Sequence, residues 1–183
     1  MEYYEPAEDS HFLGEIVSNY LKKLSIIEKS KFHVLDLGTG SGIQSEISVE
    51  NGINKDNILA VDINPHAIQV AKNLGLKTLN SNLFEQIKNK FDLIIFNPPY
   101  LPEHQFDDKP DTTGGKKGDE TIVRFIKQLK PHLAKKGVCF LLTSSYTPEK
   151  RWKIEAKKQK LKIQKVATKP VFYEELFVWE VRA

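Results

Sequence analysis

Short apolar runs alternate with helix-like stretches along most of this 183-residue chain. Runs such as 58–61 and 91–96 are almost continuously apolar, which is typical of strands buried on both faces of a parallel sheet. Residues 9–24 instead place apolar side chains at helical spacing. Alternating strands and helices imply crossover connections over both faces of a sheet. We therefore predict an α/β fold: a doubly wound, mostly parallel, seven-stranded sheet with an N-terminal helix.

The predicted elements can be placed along the chain. The strands are 32–37, 58–62, 76–79, 91–96, 138–142, 162–168 and 175–182. The helices are 9–24, 42–50, one that begins at Pro65, 119–134 and 148–160. Because ligands in such sheets bind beyond the carboxyl ends of the strands, the residues that follow each strand are the candidates for a functional site.

Composition fits one domain, which we divide into an N-terminal segment and helix (1–30) and a core (31–183). Hydrophobic residues make up 40% of the chain, enough for a proper core, and the net charge of +3 names no partner. Cys139 is the single cysteine, which excludes an internal disulfide and a cysteine zinc cluster and favours a reducing cytosol. The acidic start lacks the features of a signal peptide, and no apolar stretch approaches the ~18 residues of a membrane span. We expect a cytoplasmic protein without a membrane partner.

A glycine-rich turn, Gly38 to Gly42, follows the first predicted strand. Glycines let a ligand approach the backbone at a helix N-terminus, although the dinucleotide fingerprint would need glycine where Ile43 stands. Asp62 ends the next strand, where a carboxylate can accept both hydroxyls of a ribose. The alternative is that Asp62 caps the following helix, a task for which Asn64 is better placed. The pattern favours binding of a ribose-containing ligand.

The sequence Asn97-Pro98-Pro99-Tyr100 follows the fourth strand. Prolines remove backbone donors, so carbonyl oxygens can face a pocket without competition. The Asn97 side-chain oxygen and the Pro98 carbonyl can each accept one hydrogen of a planar –NH₂ group, and Tyr100 can stack on its face. An amide nitrogen is a poor nucleophile, so orienting it against an electrophilic methyl group is the main contribution a protein can make. The alternative is an ordinary turn at the end of a strand.

These motifs resemble class I S-adenosylmethionine-dependent methyltransferases that modify planar nitrogens. Residues Tyr4–Ser10 narrow the resemblance to the HemK-like family, in its archaeal and eukaryotic branch of peptide-chain release factor glutamine methyltransferases. Gly114, Gly115, Gly118, Glu120 and residues 172–177 match further segments of that family. The resemblance implies a Rossmann-like core and N-methylation of the glutamine side-chain amide in the Gly-Gly-Gln motif of a release factor.

The resemblance also implies a set of site residues. Ser10, Asp36 and Gly38 would line the methionine side of S-adenosyl-L-methionine, with Gly40 in the same turn. Asp62 would hold the ribose, and Asn82 and Leu83 would lie near the adenine. Asn97, Pro98, Pro99 and Tyr100 would take the substrate amide, and S-adenosyl-L-homocysteine would be the product. The family commonly has aspartate where this chain has Asn82, which keeps one carbonyl acceptor.

Relatives in this branch work with a small zinc-binding activator protein. The resemblance therefore implies a heterodimer in which that partner pairs with an edge strand near Leu76–Leu79. We expect no metal in this chain itself, because its histidines lack ligand spacing. The segment Leu101–Gly118 is long for a loop, and it is either a substrate-binding lid or a tolerated surface insertion.

Three alternatives stay open. The first is amino methylation of a nucleic acid, for instance on adenine, because an exocyclic amine presents the same planar –NH₂ group. The basic segment Lys150–Lys165 would then track the backbone, although Arg124, Arg151 and Arg182 are the chain's only arginines. The second is methylation of lysine or of a broader range of proteins. The third is a cofactor-binding scaffold without activity.

Overall fold

The computed structural model describes residues 6–100 and 117–183. The helices are α1 (Glu8–Leu21), α2 (Ile26–Lys29), α3 (Ile43–Glu50), α4 (Pro65–Asn73), α5 (Glu120–Leu129) and α6 (Glu149–Lys158). The strands are β1 (Val34–Leu37), β2 (Ile58–Asp62), β3 (Lys77–Asn80), β4 (Phe91–Phe96), β5 (Leu133–Ser144), β6 (Lys162–Pro170) and β7 (Glu175–Arg182).

The seven strands form one sheet in the order β3-β2-β1-β4-β5-β7-β6. The first five are parallel, and β7 inserts antiparallel between β5 and β6. This confirms the doubly wound, mostly parallel fold. The chain runs outward from β1 to β3 and then returns to β4, so strand order reverses between β1 and β4. The carboxyl ends of these two strands border the crevice in which such sheets bind ligands.

The sheet separates two apolar clusters, one under each layer of helices. Phe125 of α5 and Trp152 of α6 belong to the first cluster, and Trp152 packs edge-on against Trp179 at 5.2 Å between ring centroids. Leu13 of α1 belongs to the second cluster, on the face that α3 and α4 also cover. Cys139 is fully buried in the first cluster, as expected for a small core residue. Among the residues described, no helix is long and apolar enough to cross a membrane.

The largest departure from the predicted elements is the helix expected over 119–134. The α-helix ends at Leu129, a 3-10 turn covers Lys130–His132, and β5 already begins at Leu133. Pro131 explains the difference, because it has no backbone N–H to donate to a helical hydrogen bond, while Lys130 before it keeps helical backbone (φ −56°, ψ −44°). The predicted single helix over 9–24 also ends early, at Leu21, and Ser25 then caps the short helix α2.

Candidate active site

A cavity of about 510 Å³ opens at the carboxyl ends of β1 to β4 and is closed on one side by the first turn of α1. Its lining includes these predicted site residues: Ser10, Gly38, Gly40, Asp62, Asn82, Leu83, Asn97, Pro98, Pro99 and Tyr100. Asp36 is the predicted site residue that does not line it. The other predicted motif residues Tyr4, Glu5, Gly114 and Gly115, and the segment 101–116, lie outside the described part of the chain.

The glycine turn forms the floor of the cavity and depends on left-handed backbone. Gly38 has φ +68° and Gly40 has φ +52°, conformations that L residues with a Cβ rarely adopt. A Cβ on Gly38 would also lie 3.5 Å from the ring of Phe96 and 3.9 Å from the carbonyl oxygen of Asn97. Those distances are ordinary contacts, so the left-handed backbone is what requires glycine at position 38.

Asp36 lies behind this turn and is 2% exposed. Its Oδ2 accepts hydrogen bonds from the Thr39 hydroxyl (2.8 Å), the Ser45 hydroxyl (2.6 Å) and the Ser45 backbone N–H (3.1 Å). The carboxylate thus ties the glycine turn to the first turn of α3. Asp36 therefore supports the turn from behind and is not among the residues that line the cavity, and its place on the methionine side of the cofactor stays a prediction.

Replacing Asp36 with asparagine is expected to remove a pH-dependent contribution to stability. Burial raises the pKa of the Asp36 carboxyl, and the hydrogen bonds from Ser45 and Thr39 oppose that rise. The Asp36 carboxyl therefore binds its proton more tightly in the folded protein than in the unfolded chain, where aspartates titrate near pH ~3.9. Where the folded state binds more protons, the free energy of unfolding falls as pH rises.

The measurement is urea unfolding of the parent and Asp36→Asn between pH 4 and pH 8. The free energy of unfolding of the parent minus that of the variant should decrease as pH rises through the folded pKa. A difference that increases over this range would contradict the assignment.

Asp62 is half-buried at the rim of the cavity, at the end of β2. Its Oδ2 accepts the backbone N–H of Gly40 at 3.0 Å, and its Oδ1 accepts the backbone N–H of Asn64 at 2.8 Å. The capping task falls to Asn64, whose Oδ1 accepts the N–H of His66 at the start of α4. The backbone donors Gly40 and Asn64 therefore hold Asp62 in place, with its side chain among those that line the cavity.

Asn82 and Leu83 lie where the chain turns after β3. The Asn82 Nδ2 donates to Glu85 Oε1 at 2.9 Å, which leaves the carbonyl end of the amide as its acceptor group. Leu83 has φ +51°, an unusual backbone conformation for a bulky residue. Ser81 supports this turn, because its hydroxyl donates to the Leu83 carbonyl at 3.2 Å. Leu83 supplies the apolar part of the cavity wall beside Asn82.

Asn97 and Tyr100 meet an acidic residue that sequence reasoning did not assign to the site. The Asn97 Nδ2 donates to Asp9 Oδ2 at 3.0 Å, and the Tyr100 hydroxyl donates to the same oxygen at 3.3 Å. The Asn97 Oδ1 is buried and has no hydrogen-bond partner among the described residues. Asn97 is one of the residues that line the cavity, and an unpaired buried acceptor in such a residue is a candidate partner for a ligand N–H donor.

A signal for Asp9 existed in the sequence. It stands three and four residues before the buried Phe12 and Leu13, on the inward face of α1, whereas Glu8 is exposed. Helical phase could therefore have separated the two acids. Thr121, Arg124 and Gln44 also line the cavity, and no motif marked them.

Across 6–100 and 117–183, no group of three or more histidine, cysteine, aspartate or glutamate side chains could hold a metal ion.

Two relatives have names that indicate glutamine methylation. The chain is 40% identical, over 97% of its own length and 90% of the other, to a Methanocaldococcus jannaschii protein named "Putative protein N5-glutamine methyltransferase". It is 31% identical to a "Release factor glutamine methyltransferase" of Rhodopirellula baltica over 65% of this chain. It spans only 46% of the length of that bacterial relative.

A solved structure shares the fold along nearly the whole chain. It is that of the E. cuniculi Mtq2–Trm112 complex, with a TM-score of 0.76 and 24% identity over 99% of this chain and 98% of that one. That complex is responsible for methylation of the translation termination factor eRF1. The family model of the methyltransferase small domain matches residues 18–172. Because the model matches most of the sequence and one relative is 40% identical along nearly all of it, this chain belongs to the methyltransferase small domain family.

Proposed function

We propose that this protein transfers a methyl group from S-adenosyl-L-methionine to the side-chain amide nitrogen of the glutamine in a release factor's Gly-Gly-Gln motif. The observation that carries the proposal is the unpartnered, buried Oδ1 of Asn97 beside a cavity that also contains Asp62. One end of the cavity suits a ribose, and the other suits a planar –NH₂ group. The names of the two relatives support the same substrate class.

The residues present fit the cofactor. Gly38 and Gly40 keep the floor open, Asp62 offers its carboxylate at the rim, and Ser10 lies at the α1 side of the same cavity. Asn82 and Leu83 supply an amide acceptor and an apolar wall. S-adenosyl-L-methionine, when bound, supplies an electrophilic methyl group on a positively charged sulfur.

The substrate amide would be held by the end of β4. The Asn97 Oδ1 and the Pro98 carbonyl accept its two N–H hydrogens, and the Tyr100 ring packs on its face. Methyl transfer would join the amide nitrogen to the methyl carbon as the carbon–sulfur bond of the donor breaks, and the electron pair of that bond would stay on sulfur in S-adenosyl-L-homocysteine. The nitrogen then loses one proton to water, so no strong general base is required. Acceptor oxygens around the nitrogen stabilise the positive charge that develops on it.

Two lysines of the basic segment Lys150–Lys165 have a role within the fold, which counts against the nucleic-acid alternative. The Lys153 Nζ lies 4.2 Å from the centroid of the Trp179 ring, and the Lys165 Nζ lies 3.4 Å from that of Phe177. These lysines thus cover aromatic side chains of β7. The segment is fully described, and none of its residues lines the cavity.

We propose that β3 pairs with a strand of a small zinc-binding activator protein, close to the predicted position Leu76–Leu79. The sheet has two edges, β3 and β6. The β6 edge carries three lysines and ends at Pro170, features that discourage strand addition. On β3 the one lysine, Lys77, is engaged by Asp56, through its backbone carbonyl at 2.6 Å and its carboxylate at 3.7 Å. The β3 edge is therefore the more open of the two.

Changing Thr78 to lysine is expected to weaken the heterodimer by about tenfold or more, because a charged side chain on an edge strand opposes pairing with another strand. Binding of the purified activator protein can be measured by calorimetry. Thr168→Lys, on the opposite edge β6, is the matched control and should leave the affinity unchanged. If Thr168→Lys weakens binding and Thr78→Lys does not, the partner lies on the other edge.

The proposed activity is tested by methyl transfer from labelled S-adenosyl-L-methionine, with and without the activator protein. Label should enter an intact release factor, and it should be absent when the glutamine of the Gly-Gly-Gln motif is replaced by alanine. Parallel reactions contain DNA, RNA, or a release factor with lysine at that position. Label in nucleic acid but not in the release factor would refute the proposal. Transfer to lysine at a comparable rate would establish the broader protein substrate, and no transfer to any acceptor would leave the scaffold alternative.

The remaining predictions on domain and location follow from this proposal. We propose a single methyltransferase domain over 1–183, in which the segment 1–30 covers the cofactor and 31–183 forms the core. We also propose that the protein acts in the cytoplasm, where its substrate would be found. The lone cysteine is compatible with that compartment, because Cys139 is buried and burial raises the pKa of its thiol.

A further inference from the structure

Asp9 links helix α1 to the segment that follows β4 through side-chain hydrogen bonds. It lies in the first turn of α1 and is 6% exposed. Its Oδ2 receives hydrogen bonds from both Asn97 and Tyr100, although Asn97 lies 88 residues later in the chain. One carboxylate oxygen therefore contacts both side chains that are proposed to hold the substrate amide.

The Asp9 carboxylate selects the orientation of the Asn97 side-chain amide. The oxygen and nitrogen ends of an asparagine side chain have nearly the same shape, so packing alone selects weakly between them. An ionised carboxylate accepts hydrogen bonds and donates none, so it selects the orientation in which the Asn97 Nδ2 faces Asp9. The Oδ1 is then the end left without a partner.

The position of Asp9 is itself fixed by the packing of α1 on α3. The Gln44 Nε2 of α3 donates to the Ser10 carbonyl at 2.8 Å, one residue from Asp9. Gly14 leaves room for the Ile47 side chain of α3 between the two helices, because a Cβ at that position would lie 2.3 Å from the Ile47 Cδ1. The carboxylate is thus presented by a docked helix and not by a free chain terminus.

We propose that Asp9 is a positioning residue, which holds the Asn97 amide with its acceptor oxygen toward the substrate nitrogen and fixes the Tyr100 ring beside it. This inference rests on the proposed function, since it names what orients the amide-binding group. The hydrogen bond to a charged oxygen also polarises the Asn97 amide and makes its Oδ1 a stronger acceptor. The role is distinct from contact with the substrate, which falls to Asn97.

The test is an exchange of the two side chains. It uses the full-length protein with its activator partner in four forms: parent, Asp9→Asn, Asn97→Asp and the double variant Asp9→Asn/Asn97→Asp. The double variant again pairs one amide with one carboxylate, so the amide donates to the carboxylate and leaves an acceptor oxygen on residue 97. Glu8→Gln is the matched control, because Glu8 is an exposed acid in the same turn of α1.

The expected kinetic result is loss and rescue in kcat. Asp9→Asn should lower kcat for the release factor about tenfold, with the Kd for S-adenosyl-L-methionine within twofold of the parent, because a misoriented group costs turnover before it costs cofactor binding. Asn97→Asp should lower kcat further, since it sets two carboxylates against each other. The double variant should be about tenfold more active than Asn97→Asp alone. Glu8→Gln should match the parent.

A second measurement does not depend on activity. In the NMR spectrum of the parent, one side-chain amide proton of Asn97 should be shifted downfield and protected from exchange by its bond to the Asp9 carboxylate. In Asp9→Asn that shift should be lost while the rest of the spectrum stays that of a folded protein. The signal is assigned by its absence in Asn97→Ala.

The outcomes separate the two proposals. Suppose that the parent methylates the release factor. The positioning role is then wrong, and the function stands, if Asp9→Asn keeps its kcat within twofold of the parent. The same holds if the fold-losses in kcat of the two single variants multiply in the double variant. If the parent transfers no methyl group to the release factor, the proposed function fails, and the NMR result alone decides whether Asp9 orients Asn97. An unshifted Asn97 amide in the parent overturns the inference whatever the activity.

Discussion

Replacing Asn97 with alanine is expected to lower kcat for methyl transfer about a thousandfold, because loss of one preorganised polar contact to developing charge costs about 10²–10³ in turnover and the orienting contact to the amide is lost with it. The variant should still bind S-adenosyl-L-methionine within a few-fold of the parent, since Asp62 and the glycine turn are unchanged. The measurement pairs single-turnover methyl transfer with calorimetric cofactor binding.

Asn73→Ala provides the control for this change. Asn73 is an exposed asparagine at the end of α4 and does not line the cavity, so its removal should leave both kcat and cofactor affinity at parent values. Should Asn97→Ala retain more than a tenth of the parent kcat, the assignment of the Asn97–Tyr100 segment to the substrate amide would be wrong. Loss of cofactor affinity in parallel with turnover would instead place Asn97 on the cofactor side of the cavity.

Replacing Asp62 with alanine is expected to weaken binding of S-adenosyl-L-methionine by about a hundredfold or more. Two hydrogen bonds from ribose hydroxyls to a carboxylate are lost, each worth about 1.5–3 kcal/mol, and each 1.4 kcal/mol corresponds to a factor of ten in Kd. The Gly40 N–H and the Asn64 N–H also lose their acceptor, which loosens the turn that forms the cavity floor. At saturating cofactor, kcat should fall much less than in Asn97→Ala.

The matched control is Asp56→Ala, which removes an exposed carboxylate just before β2 while leaving the cavity untouched. Its cofactor Kd should equal that of the parent. Thermal unfolding of Asp62→Ala should show a folded protein, so that weak binding is not mistaken for unfolding. An Asp62→Ala protein with a parental Kd would remove the ribose assignment and leave the alternative that this carboxylate only organises the turn.

Asn97→Ala and Asp62→Ala should have opposite effects on kcat and on cofactor affinity, and this difference distinguishes the two halves of the cavity. One should lose turnover with its cofactor affinity kept, and the other should lose affinity with most of its turnover kept. A methyltransferase that holds both reactants in one cavity requires this division, because orientation of the nucleophile and retention of the methyl donor are tasks of different residues.

Much of the fold could be predicted from periodicity alone. Buried parallel strands such as β1 and β4 are apolar on both faces, so their sequences stand out from the amphipathic helices between them. The prediction was weakest where one local cue opposed another. The apolar pattern continued past Leu129, but Pro131 ended the helix and Leu133 joined β5.

Among the site residues, too, some positions could be predicted from the sequence and others could not. Gly38, Asp62 and Asn97 could be predicted to meet because parallel strands end at one edge of a sheet. Asp36 and Asp9 could not be assigned by that rule. Asp36 ends close to a strand terminus yet points back to Ser45 and Thr39, whereas Asp9 comes from a helix that the rule does not place.

The sequence by itself determined the strands, their polar ends and hence the cavity at the reversal of strand order, because these depend on local periodicity and on the general geometry of parallel sheets. Only the tertiary structure decided which carboxylate faces which partner. Asp36 became a buried support for the glycine turn, and Asp9 became the partner of Asn97 and Tyr100. The physical reason is that side-chain hydrogen bonds depend on the docking of α1 against α3 and the sheet, a contact between distant segments that no local pattern encodes.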